Sequence, residues 1–275
     1  MQLVTIAPMT TPVIDPQDVL RGAQLKLVRA RVLVSSLLEE IDRVLTTPTQ
    51  GSATPNPDGT FSAYYRPAAE PTPVMSLVLG EFAHNARSAL DNVVTSLVVS
   101  SGGTPKSNHK FPVFKTETAW RGKVATPWPG AGPLAGLSQE DFDLIEAVQP
   151  FHADEPDRHP LALLAQINNA DKHQMLHAAM AYTAQDADQR VLEVVPPLPV
   201  EIVWTPPRGT LLAAGAEATR YRFTDSSPSS FGLKLNWPLS LLFRDHLGRD
   251  VYFFELNDIY VAAALAVRPW LDPPR

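Results

Sequence analysis

The residues with chemistry in reach of one another fall in two stretches. In the first, HNARSALDNVV, His84 and Asp91 stand seven positions apart. On a helix they would project within about 20° of each other, with Arg87 one turn between them. Ser88 and Thr95 share that side. A guanidinium can hold an anion in a planar fork, and an imidazole beside a carboxylate can move a proton. The second stretch, LALLAQINNADKHQMLHAAMAY, runs from Leu161 to Tyr182. As one helix at about 100° per residue it carries Asn168, Asp171 and Lys172 inside its apolar arc. Leu164, Ile167, Met175, Ala178 and Tyr182 would surround Asp171. Charges so placed need partners, and Arg87 and Asp91 offer the opposite signs to Asp171 and Lys172.

Plainer readings stand beside these. Arg87 and Asp91 also fit an ordinary i,i+4 ion pair worth about 0.3–0.5 kcal/mol on a solvated face. The DKH charges fit an interhelical network that fixes register. His173 and His177, at i,i+4 on the opposite arc, could share a metal only with a third ligand, for which His152, Asp154, Asp157 and His159 are the nearest candidates. The expectation is a polar histidine face and no metal.

These stretches must be positioned by longer elements. Asp15-Pro16 opens a helix to about Leu45, with Ala23, Leu27, Ala30, Val34, Leu37, Leu38, Ile41 and Leu45 on one side. Residues 46–60, turn-rich and polar, read as a loop ending in the Pro57-Asp58-Gly59 turn, and Phe61–Arg66 as a short strand. Pro73 opens a second helix, stopped by Ser101-Gly102-Gly103. Residues 101–137 form a long proline- and aromatic-containing loop, a wrap over the helices pinned by FPVF (Phe111–Phe114), Trp120 and Trp128. Those rings could alternatively stack a planar ligand. Ser138 caps a short helix. Beyond Ala184 the period changes to two: VLEVV, EIVW, TRYRF, FGLKLNW and DVYFF read as strands, and Leu256–Trp270 as a closing helix. The expected fold is α+β: a helical bundle of about four antiparallel helices over 1–184, then an antiparallel sheet of four to five strands and a C-terminal helix over 185–275, packed as one unit.

Composition narrows the chemistry. The 275 residues suffice for a substantial core, and 44% hydrophobic with 19% charged residues is ordinary for a globular protein. A net charge of −6 speaks against nucleic acid as a partner, which needs a basic field. The absence of cysteine removes disulfides, thiolate metal sites and a thiol nucleophile. No secretory leader pattern and no apolar run of membrane-spanning length is visible, so a cytoplasmic location is expected. There is no phosphate loop, dinucleotide fingerprint, G-x-S-x-G elbow or H-E-x-x-H motif, and no cofactor is expected.

Four segments, GEFAHNARSALDNVV, FPVF, LIEAVQPFHA and LAQINNADKHQMLHAA, together resemble a family of largely uncharacterised bacterial proteins with an H-N-x-R-S-A-L-D helix, an F-P segment, a Q-P turn and an N-x-x-D-K-H helix. The resemblance covers about residues 74–179. It implies that His84, Asn85, Arg87, Asp91, Asn168, Asp171, Lys172 and His173 occupy signature positions, and it carries no activity. At a greater distance, a helical core with an Arg- and His-bearing helix resembles the HEPN superfamily of nucleotide-binding and ribonuclease domains. There His follows Arg on the helix, whereas here His84 precedes Arg87 and SALDNV follows it.

Two functions follow as expectations. One is an enzyme on a small anionic, phosphate-bearing or nucleotide-like ligand, with His84, Arg87, Asp91, Asp171, Lys172 and His173 as the catalytic set and Asn85, Ser88 and Asn168 binding the ligand. The other is a non-catalytic module, binding a small molecule or serving regulation or defence, in which the constellation is a structural salt-bridge network. In a homodimer its polar helices would pair across a twofold axis.

Overall fold

The computed structural model describes residues 15–46, 52–67, 69–126, 128–173, 176–182, 192–195, 197–225, 231–235 and 239–272. Helix α1 (Pro16–Thr46) starts where the Asp15 carboxylate accepts the Gln17 N–H at 2.8 Å, and it buries Ala23, Leu27, Ala30, Val34, Leu37 and Ile41 at the expected spacing, while Leu38 and Leu45, expected with them, are half-buried. Strands β1 (Ser52–Pro55) and β2 (Phe61–Tyr64) form a hairpin, and α2 (Pro73–Ser100) follows with Leu79, Phe82, Ala83, Ala86, Leu90, Val93 and Val94 buried. Proline at the first helical position and the glycines after Ser101 set the ends of α2 where the sequence places them.

Residues 46–60 are therefore not a plain loop, because β1 lies within them. The wrap after α2 contains α3 (Glu117–Trp120), which runs on as a π-helical turn over Arg121–Ala125. Helix α4 (Gln139–Ala147) begins at Ser138, whose Oγ accepts the Asp141 N–H at 3.1 Å.

The largest departure concerns the second chemical stretch. Leu161–Tyr182 is not one helix: α5 (Pro160–His173) ends, and β3 (His177–Tyr182) pairs antiparallel with β8 (Leu239–Arg244), His177 opposite Arg244 and Tyr182 opposite Leu239. Alanine-rich apolar runs satisfy both a 3.6 and a 2 period over six residues, and here the available partner strand decides. The i,i+4 helical relation of His173 and His177 does not exist.

The remaining strands are β4 (Leu192–Val195), β5 (Val200–Trp204), β6 (Glu217–Phe223), β7 (Gly232–Leu235) and β9 (Asp250–Tyr252), and the last helix is α6 (Leu256–Leu271). The protein is α+β with antiparallel sheets. In place of one C-terminal sheet, the described strands form three: β1-β2-β6-β5, β3-β8-β9 and β4-β7. The first takes two strands from before α2. No described helix is long and apolar enough to cross a membrane.

The chain divides into two compact units. One comprises Met1–Arg29, Asn85–Ala162 and Ala262–Arg275, the other Ala30–His84 and Leu163–Val261. In the first, Trp120 is fully buried against Phe114, Phe142 and Phe151, with ring centroids 6.3, 5.5 and 6.0 Å away, and Trp128 lies 4.7 Å from Phe142. These rings pin the wrap, as expected of buried aromatics. In the second, Phe61, Phe223 and Phe231 surround Tyr221 and one another on one face of the four-stranded sheet, at centroid distances of 5.1 to 5.9 Å.

Candidate functional site

Arg87 and Asp91 are joined, and their common target is main chain. Asp91 Oδ1 lies 3.0 Å from Arg87 Nη2 and accepts the Phe111 N–H at 2.9 Å, while Arg87 Nη2 donates to the Phe111 carbonyl. Both backbone groups of one residue are thus met by an ion pair, as a neighbouring strand would meet them. Burial lowers the Arg87 pKa, and the Asp91 charge and hydrogen bond oppose that shift.

Gln149 extends the clamp. It is 1% exposed, its Oε1 accepts the Phe114 N–H at 3.0 Å, and its Nε2 donates to the Pro112 and Ile145 carbonyls at 2.9 and 3.0 Å. The FPVF segment, which lies in no described helix or strand, has its backbone held by side chains. The R-S-A-L-D, F-P and Q-P motifs meet at this one place.

The other assigned residues lie elsewhere. His84 is exposed and Asn85 and Ser88 are half-buried on α2. Asn168 is buried on α5, whereas Asp171, expected in the apolar arc, is exposed. Its carboxylate nevertheless lies over Gly80 of α2, where a Cβ would stand 2.0 Å from Oδ1. Only glycine permits that approach. The side chains of Lys172 and His173 lie outside the described residues. Among the described residues no group of three or more His, Asp or Glu is placed to hold a metal.

Two histidines that carry no sequence expectation of catalysis serve the backbone. His109 Nδ1 accepts the Lys106 N–H at 3.1 Å, and its pKa is lowered by burial and then by the Lys106 charge. His159 Nδ1 accepts the Leu161 N–H at 3.2 Å, and burial lowers its pKa too.

The second unit contains a cleft of about 340 Å³ lined by Tyr65, Pro67, Glu70, Pro71, the β3 residues Ala178–Met180, and Leu211–Ala214. None of the sequence-assigned residues lines it. Its size falls within the roughly 300–1,000 Å³ of ligand pockets, and its walls are mainly apolar. Tyr65 is 2% exposed. Its pKa rises from 10.0 to about 12, chiefly through burial and then through the Glu70 charge. Glu70 is exposed at the rim. A smaller cleft of about 100 Å³, lined by Thr72, Pro73, Ser76, Leu176 and His177, adjoins it through Pro71 and Ala178. Alanines and prolines carry no chemical signature, so no motif search finds this region. The one legible hint is the proline spacing at 67, 71 and 73.

Comparison with protein-family models, with curated proteins and with solved structures gives no significant match. The class defined by fold and geometry is thus an α+β protein with a side-chain-clamped loop in one unit and an apolar cleft in the other.

Proposed function

We propose that the protein is a non-catalytic binding module and that its ligand occupies the cleft beside β3. One observation carries this reading. The cleft is of ligand size with few polar groups at its wall, while the charged pair that the sequence singles out, Arg87 and Asp91, is spent on the Phe111 backbone. On this reading the HNxRSALD, F-P and Q-P signature is a framework motif. Saturable binding of N-phenyl-1-naphthylamine, a neutral apolar fluorophore, is expected in wild type and lost in Ala213→Trp, which fills the cleft. Equal binding by both, or none by wild type, rejects the reading.

A second reading, an enzyme on a phosphate-bearing or nucleotide-like substrate, is favoured by the Asp171 carboxylate lying over Gly80, one turn before His84 on α2. His84 would move the proton, Asp171 would orient it, and Lys172 would hold the anion, because Arg87 is already engaged. Hydrolysis of bis(p-nitrophenyl) phosphate that disappears in both His84→Ala and Asp171→Asn, with melting temperatures unchanged, would establish it. Turnover that survives either substitution removes it.

A further inference from the structure

The cleft exists because a strand stops short. Leu211 bridges Ala181, and the Leu212 N–H donates to the Met180 carbonyl at 2.9 Å, so a two-residue stub runs antiparallel along the edge of β3 that faces away from β8. Continued in register, the stub would set Ala213 opposite Ala179 and Ala214 opposite Ala178. The chain turns off instead. Ala216 N–H bonds to the Ala213 carbonyl at 3.0 Å, Gly215 adopts φ +83°, and its N–H reaches the Tyr65 carbonyl at 2.7 Å, while Tyr65 N–H returns to Ala216 at 2.9 Å. A positive φ at that turn suits glycine.

Since the Met180 carbonyl points to the stub, the period of two sends the Ala178 N–H and C=O to the same edge. Among the described residues, nothing pairs with them there. Ala178 is also shared, with Pro71, by the two clefts, which line up along β3 from Met180 to Leu176. Glu70, on the rim, has no ion pair among the described residues.

We infer that this edge takes an extended peptide that resumes the interrupted strand, antiparallel to β3, with its main chain bonded to Ala178, a small apolar side chain in the larger cleft and a lysine or arginine facing Glu70. The inference rests on the binding-module reading and names its ligand class. Strand addition draws affinity from main-chain bonds and specificity from alternate side-chain pockets, and both are provided. The carboxylate selects the sign of the partner.

The test uses the full chain and the acetylated, amidated peptide Val-Thr-Val-Lys-Val, competing with N-phenyl-1-naphthylamine. The peptide is expected to displace the fluorophore. Analogues N-methylated at alternate residues, made in both phases, should differ: one phase weakens binding about tenfold, as loss of one or two net backbone bonds would, and the other changes it little. Ala178→Pro should weaken peptide binding by more than it weakens the fluorophore, since an edge strand accepts proline where its N–H faces outward. Glu70→Gln should abolish the preference for lysine over norleucine in the peptide. If Ala178→Pro misfolds by circular dichroism, the methylated pair on wild-type protein still decides. Fluorophore binding that Ala213→Trp removes but the peptide leaves untouched, or equal loss in both methylation phases, overturns the peptide proposal and leaves the binding module standing. Absence of fluorophore and peptide binding alike overturns both.

Discussion

Two stretches of backbone invite comparison: Phe111–Phe114 in one unit and His177–Met180 in the other. The first has no described strand beside it, yet the Phe111 N–H and C=O, the Pro112 C=O and the Phe114 N–H are met by Arg87, Asp91 and Gln149, from helical or turn segments. The second belongs to a sheet, yet at Ala178 it presents to a cleft an edge that no described residue pairs with. The charged residues that look catalytic close a structure, and the featureless alanines leave one open. Chemical conspicuousness and availability are separate properties.

That contrast can be broken from either side. The largest effect is expected for Asp91→Ala, which leaves the Arg87 guanidinium without its counter-charge and frees the Phe111 N–H. Removing one partner of a largely buried pair costs about 3 kcal/mol. Urea denaturation should show that loss while fluorophore binding in the cleft persists. Loss of cleft binding with stability intact would invert the assignment of roles. Gln149→Leu comes next, at about 2 kcal/mol, because it orphans the Phe114 N–H and the Pro112 carbonyl. Gly80→Ala should cost about 1 kcal/mol by displacing the Asp171 carboxylate, and Asp171→Ala should restore most of it. Additive losses would deny the contact.

The smallest effect is a pH dependence at the cleft. With its pKa raised from 10.0 to about 12, Tyr65 stays protonated in the folded state while the unfolded chain ionises. Its contribution to stability is therefore complete below pH 10 and falls as pH rises toward 12. Tyr221, raised by burial as well, acts in the same direction. Tyr65→Phe should flatten part of that decline in chemical denaturation at fixed alkaline pH, and an unchanged slope would place Tyr65 in a wetter setting.

Much of the helical frame was legible. The bounds of α2 follow from Pro73 and the glycines after Ser101, and the stripe of α1 from its 3.6-residue period. The end of α5 was not, because LHAAMAY satisfies two periods and only β8, over sixty residues later, chooses between them. At the clamp, sequence spacing correctly joined Arg87 to Asp91. Their shared target escaped it, since a backbone N–H and C=O look alike at every residue. The cleft left even less trace, because it is defined by where a chain turns away.

The order β1-β2-β6-β5 also governs how the chain comes into being. Phe61 of β2 faces Tyr221 of β6, and the Ser62 hydroxyl donates to Glu217, 155 positions later. At about 5–20 residues per second a ribosome needs roughly 10–30 s to deliver that partner. Throughout that interval the hairpin offers its second edge to any strand nearby, so the nascent protein depends on timing, or on a chaperone's cover, before its own sheet can close.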